Sequence, residues 1–526
     1  MKTLSNYIID QLKECGVGHV FGVTGDYVLD FCEELNNSKK IKFINVTDES
    51  HAGFAADAYA RINGIGCVCA TYNVGSFKLV NSTACAYAER SPVVVISGAP
   101  ATSERKNKNL HHMVNDFDCA VKIFENITCH SVALNEFNIN EVKLAFEKLK
   151  KFKRPIYIEL PRDMLNARVD SQVSVSHIDL KNNFNNAQLT ELESKLFEVI
   201  ENLENSKNPV ILAGHQISRC NLGKKLESFA EKNAISICTT LLGKSSIKET
   251  HSFFSGTYMG SSGNLDVKKV VESSDCLLIL GAILTDVNLG FDKCNLKPKL
   301  NVSMENDYFE EFCFNLFDVK LKRFCKNKTT NKNKTANKNK TIGEKLTSRK
   351  IFKKINSSMK KNFVVIPDIG DSLFGSVDLK IHKRNHFISC SFYTSMGFAI
   401  PASLGVALAN RKLRPVVIVG DGAFQMSCSE LSTIFNYDLN PIVIVINNKG
   451  YMTENKIKKK ILKDIFNWNY HNFNGIIGGK GVKANTEEDF NYNFDLALKS
   501  NELFLINAIV DNECSEYLEN ISKRIT

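Results

Sequence analysis

The stretch VVIVGDGAFQ at residues 416–425, followed by CSELSTIFNYDL at 428–439 and PIVIVINNKG at 441–450, decides the fold. It reads as a buried strand, a helix from Cys428 onward, and a second buried strand, each strand ending in a polar turn. Asp421 and Asn448 stand 27 residues apart, at the two strand ends. Parallel sheets bind ligands at the carboxyl ends of their strands, where these turns lie. Gly420 and Gly422 let the backbone approach phosphate, and the helix start that follows complements negative charge. The Asp421 carboxylate, the Asn448 amide oxygen and the Gly450 carbonyl are hard oxygen donors, suited to Mg²⁺ that also binds phosphate.

Outward from this unit the same alternation fills the chain. Leu4, Tyr7, Ile8 and Leu12 share one helical face, and Gly16 stops that helix. HVFGV (19–23), IKFINV (41–46), CVCATY (67–72) and PVVVISG (92–98) read as strands. HAGFAADAYARI (51–62) and KLVNSTACAYAE (78–89) read as helices between them. The rhythm runs to PIYIEL (155–160) and fades near Asp170. A second unit starts with a helix near Thr190 and has strands at PVILA (209–213), 235–239 and CLLIL (276–280). A third has strands at 363–366, 415–419, 442–446 and 504–508. The expected architecture is α/β, with three doubly wound parallel-sheet domains at 1–180, 181–325 and 342–526.

Composition limits the function. The 526 residues are 43% hydrophobic and 24% charged, which excludes a disordered or collagen-like chain. The apolar runs are too short to span a bilayer, so no membrane partner is expected. The formal charge is +10, but KNKTTNKNKTANKNK at 326–340 holds six lysines and no acid, leaving only +4 elsewhere. That tract cannot pack, and residues 326–341 read as a solvated linker rather than a nucleic-acid arm. The 16 cysteines are scattered; Cys67 and Cys69, the nearest pair, alternate along a strand and read as core side chains. The N-terminal MKTLSNYIIDQLKE has carboxylates where a signal peptide is apolar, so a cytoplasmic protein is expected.

The GDG-to-NN constellation resembles the thiamine diphosphate motif. VFGVTGDYVLDF (20–31), DESHAGFAADAYAR (48–61), AYAERSPVVVISGAP (86–100), LHHMV (110–114), GTYMGSSG (256–263) and GAILTDVNLG (281–290) resemble the thiamine diphosphate-dependent 2-oxo-acid decarboxylases over nearly the full chain. The resemblance implies that Asp421, Asn448 and the Gly450 carbonyl hold Mg²⁺ on the diphosphate, within the turn Gly420-Asp421-Gly422-Ala423. It implies that Glu49 hydrogen-bonds N1′ of the aminopyrimidine and so promotes loss of the thiazolium C2 proton. Met396 matches the bulky apolar residue that bends the cofactor, and Asp371 a residue beside it.

Asp26, His111, His112 and Glu454 match positions that supply proton donors and acceptors around the substrate, with Asp286 and Val287 near the pocket. The expected reaction converts a 2-oxo acid such as pyruvate, indolepyruvate or phenylpyruvate to an aldehyde and CO₂. Glu454 departs from the phenylpyruvate-type enzymes, in which that position can be apolar. An acetolactate synthase-type carboligase with the same cofactor is the alternative; the histidine pair and Glu454 favour decarboxylation. In this family the cofactor lies between two subunits, so a homodimer or homotetramer is expected.

Overall fold

Strand runs rich in valine and isoleucine become the inner strands of three parallel sheets. The computed structural model describes residues 2–107, 109–169, 184–296, 299–322, 345–451, 465–511 and 513–525. The tract at 326–341 and Glu454 lie outside the described residues.

The first sheet contains β1 (His19–Gly22), β2 (Lys42–Asn45), β3 (Gly66–Ala70), β4 (Val93–Ala99), β5 (His130–Ala133) and β6 (Ile156–Pro161), in the order β2-β1-β3-β4-β6-β5. All its pairings are parallel. The second contains β7 (Pro209–Ala213), β8 (Ser236–Thr240), β9 (Phe254–Tyr258), β10 (Cys276–Leu280) and β11 (Lys299–Val302), in the order β9-β8-β7-β10-β11, again all parallel. The third contains β12 (Phe363–Pro367), β13 (Arg414–Gly420), β14 (Ile442–Asn447), β15 (Lys480–Ala484) and β16 (Phe504–Ile509), in the order β12-β13-β14-β16-β15. Within it β13–β14, β14–β16 and β15–β16 are parallel.

The chain forms two compact units. The first takes the described residues of Met1–Asn183 with Tyr393–Pro415 and Ser427–Asn440; the second takes those of Phe184–Phe392, Val416–Met426 and Pro441–Thr526. In the first, the opening helix runs Leu4–Glu14 and buries Leu4, Ile8 and Leu12 in the same core as Val94, Ile96 and Ile158. Gly16 follows with φ +76°, a conformation that suits glycine and ends the helix there. Cys67 and Cys69 belong to this core and are free thiols.

The helix Glu49–Asn63 is the backbone of the first unit. Asp48 caps it by accepting the Ser50 N–H, and Gly64 closes it at φ +102°. Near its end Arg61 is buried between two carboxylates, Asp57 at 2.8 Å and Glu89 at 3.0 Å. The apolar helix Ala399–Ala409 lies against it so closely that a Cβ on Gly405 would stand 2.0 Å from the Ala55 carbonyl. In the third sheet the helix after β13 begins at Asp421 itself and ends at Ser427, with a second helix at Glu430–Asn436. The sequence expectation of a free turn leading to one helix from Cys428 is corrected: the glycines close the strand and open the helix in the same residues. No helix among the described residues is long and apolar enough to cross a membrane.

Candidate active site

The first unit presents an imidazole cluster. Asp26 follows β1 in a turn, and His111 and His112 lie in the loop after β4. His111 is held at both ring nitrogens: Nε2 against Asp26 Oδ2, and Nδ1 3.2 Å from the Tyr27 hydroxyl. Its ring also stacks on Tyr27, with centroids 4.7 Å apart. The Thr71 hydroxyl donates to the other Asp26 oxygen at 3.3 Å. Burial works to raise the Asp26 pKa, but the His111 hydrogen bond, the Tyr27 backbone N–H and the two histidine charges bring it below the usual value.

His112 sits at φ +66°, in the left-handed region that non-glycine residues rarely adopt. Its carbonyl accepts from the Asn73 amide at 2.9 Å, which holds the strained backbone in place. Its Nδ1 is buried and has no hydrogen-bond partner among the described residues. One ring nitrogen of each histidine and one Asp26 carboxylate oxygen lie within 4.8 Å of one another, so one small group could meet all three.

Glu49 opens the helix Glu49–Asn63 and is 9% exposed. Its Oε2 lies 3.0 Å from the Lys78 ammonium. Its Oε1 faces Gly75, where a Cβ would stand 3.2 Å away. Met396, in the same unit, is 37% exposed and is no core residue. Its loop is tied down by Asn81, which bonds the Tyr393 hydroxyl at 3.1 Å and the Ser395 hydroxyl at 3.0 Å.

The second unit presents an oxygen-rich cradle at the ends of β13 and β14. Asp421 is 2% exposed, and its two oxygens accept the Gly422 and Gly450 N–H groups, each at 2.9 Å. Burial pushes the Asp421 carboxyl up to about 6 despite these hydrogen bonds. The Asn448 amide oxygen is buried without a hydrogen-bond partner among the described residues, and so is Oδ2 of Asp371. The other Asp371 oxygen accepts the Ser515 N–H at 2.8 Å. Around Gly420 a Cβ would meet nothing within 4 Å, whereas at Gly422 it would strike the Tyr451 ring at 2.5 Å. Ala423 is buried. Asp286 accepts the N–H of the buried Val287.

The residues of this cradle fit a hydrated divalent cation and its phosphate. A buried carboxylate with a raised pKa and an orphaned amide oxygen both lack the positive partner that burial demands. The structure thus gathers Asp26, His111, His112, Glu49 and Met396 in the first unit, and Asp371, Asp421, Asn448 and Gly450 in the second. The sequence reading missed Tyr27, Thr71, Asn73 and Lys78. Tyr27 alone had a signal, as a ring donor beside Asp26.

Three family models match the chain: the N-terminal TPP binding domain of thiamine pyrophosphate enzymes over 2–119, their central domain over 196–308, and their C-terminal TPP binding domain over 368–508. Indole-3-pyruvate decarboxylase of Azospirillum brasilense is 28% identical, covering 96% of this chain and 95% of the relative. Pyruvate decarboxylase of Kluyveromyces marxianus is 29% identical over 86% of this chain and 84% of the relative. Alpha-keto-acid decarboxylase of Mycobacterium leprae is 27% identical over 90% and 86%. The solved structure of benzoylformate decarboxylase from Polynucleobacter necessarius superimposes with a TM-score of 0.81 at 17% identity, covering 98% of this chain and all of that one.

Proposed function

The chain belongs to the thiamine pyrophosphate enzymes, and from that premise we propose that it is a thiamine diphosphate-dependent 2-oxo-acid decarboxylase, releasing CO₂ and an aldehyde. The observation that carries the reading is the Asp26–His111–His112 cluster, a set of proton carriers in the same unit as Glu49. The full-length similarity to named 2-oxo-acid decarboxylases supports it.

When bound, thiamine diphosphate supplies a carbon nucleophile and takes up the electron pair left as CO₂ departs. Glu49 holds N1′ of the aminopyrimidine through a carboxylate oxygen. Asp421, Asn448 and the Gly450 carbonyl hold Mg²⁺, with Gly420, Gly422 and Ala423 as the floor for the diphosphate and Asp371 beside it. Met396, an exposed apolar side chain, would pack against the cofactor when it is bound. Replacing the lost carboxylate by hydrogen needs one proton at the former carbonyl carbon. We assign that proton to the Asp26–His111–His112 cluster, in which Asp26 and Tyr27 hold both ring nitrogens of His111 and so fix its orientation and link it to Asp26. His112, a member of the same cluster, has a buried Nδ1 without a hydrogen-bond partner among the described residues. Glu454 is assigned to this group by resemblance.

The same proposal includes three domains, at 1–180, 181–325 and 342–526, with 326–341 as linker, in a cytoplasmic homodimer or homotetramer. Three separate parallel sheets support the division. The test is a panel of pyruvate, indolepyruvate, phenylpyruvate and branched 2-oxo acids with thiamine diphosphate and Mg²⁺, following CO₂ and products. Stoichiometric aldehyde supports the proposal. Acetolactate as the main product from pyruvate would transfer the chain to the carboligases.

A further inference from the structure

Lys78 carries a charge that the proposed chemistry does not use. It lies on the 3-10 turn Ser76–Leu79, beside the start of the helix Glu49–Asn63. Its ammonium is 2.6 Å from Oδ2 of Asp48 and 3.0 Å from Oε2 of Glu49. The other Asp48 oxygen is already fixed by the helix cap, accepting the Ser50 N–H at 2.9 Å and the Ser50 hydroxyl at 2.5 Å. The ammonium is therefore anchored on a carboxylate that cannot swing. Hydrogen bonds to Asp48 and then to Glu49 raise the Lys78 pKa, so the cation persists across the neutral range.

The two carboxylates would otherwise repel each other at the helix start. The Lys78 side chain is 51% exposed and that of Glu49 12%, so the cation reaches a mostly buried carboxylate from the solvent side. One oxygen of Glu49 is taken and the other is not. Oε1 has no hydrogen bond among the described residues, and the missing side chain of Gly75 keeps the space beside it clear.

We infer that Lys78 is a positioning residue: by bridging Asp48 and Oε2 of Glu49, it fixes the Glu49 carboxylate and reserves Oε1 for N1′ of the aminopyrimidine. This rests on the role given to Glu49 above. Lys78 itself touches neither substrate nor the reacting atoms.

The test is calorimetric titration of thiamine diphosphate, with Mg²⁺, into the full-length protein, Lys78→Met and Lys78→Arg. An analogue with carbon in place of N1′ is titrated in parallel. Lys78→Met should weaken thiamine diphosphate binding about fivefold, the scale of a partly exposed ion pair. It should leave analogue binding unchanged, because that ligand makes no bond to Glu49. Lys78→Arg, which also bridges two carboxylates, should recover most of the loss. At saturating cofactor, kcat should fall in Lys78→Met while KM for the 2-oxo acid holds. Equal affinities of wild type and Lys78→Met for thiamine diphosphate, or equal losses for both ligands, would overturn the inference alone. Wild-type protein that fails to bind thiamine diphosphate would remove the functional reading, and this inference with it.

Discussion

Asp421 shows how a single residue can be poor for the empty protein and necessary for the loaded one. Its carboxyl is buried, with its pKa pushed up to about 6. Between the unfolded carboxyl value and about 6, the folded protein binds the proton more tightly than the unfolded chain does. This residue's contribution to metal-free stability therefore falls as pH rises through that window. Mg²⁺ requires the ionised form, so its affinity, measured with thiamine diphosphate present, should rise with pH up to about 6 and then level off. Asp421→Asn keeps one acceptor oxygen but sets its NH₂ against a backbone N–H, so it should melt somewhat earlier than wild type when metal-free, and it should lose the rise in melting temperature that Mg²⁺ and thiamine diphosphate give wild type. A variant that keeps that rise would remove Asp421 from the metal site. Asp421 and Asn448 were legible in the sequence because ligand chemistry at parallel strand ends has a fixed spacing. Thr71, Asn73 and Lys78 were not, since their roles depend on which distant side chain the fold sets opposite them.

At the scale of elements, the inner strands were legible and several edges were not. PVILA and CLLIL match β7 and β10 residue for residue. The strands the sequence hid are β5, β9, β11 and β15, and each lies at the edge of its sheet. An edge strand needs one pairing partner and tolerates polar residues; KGVKA, which forms β15, has two lysines and a glycine. The helix pair Glu49–Asn63 and Ala399–Ala409 depends on a feature no pattern signals, the absence of a side chain at Gly405. Gly405→Val should force the helices apart and cost about 1–3 kcal/mol or more in denaturant unfolding. Wild-type stability in that variant would contradict the close approach.

At the scale of the whole molecule, the assigned residues fall into two units, Glu49 in one and Asp421 in the other. The family resemblance, in which the cofactor lies between two subunits, implies that each active site takes Glu49 from one chain and Asp421 from its partner. Single variants on separate chains test that arrangement. Glu49→Gln and Asp421→Asn should each be nearly inactive with pyruvate or another accepted 2-oxo acid, yet remain folded. In a mixed dimer one site carries both changes and the other carries neither. The decisive measurement is CO₂ release after the two inactive variants, carrying different affinity tags, exchange subunits. The account predicts that random exchange restores about a quarter of wild-type activity, carried by doubly tagged dimers. Doubly tagged dimers that stay inactive, or a Glu49→Gln enzyme that turns over like wild type, would contradict it.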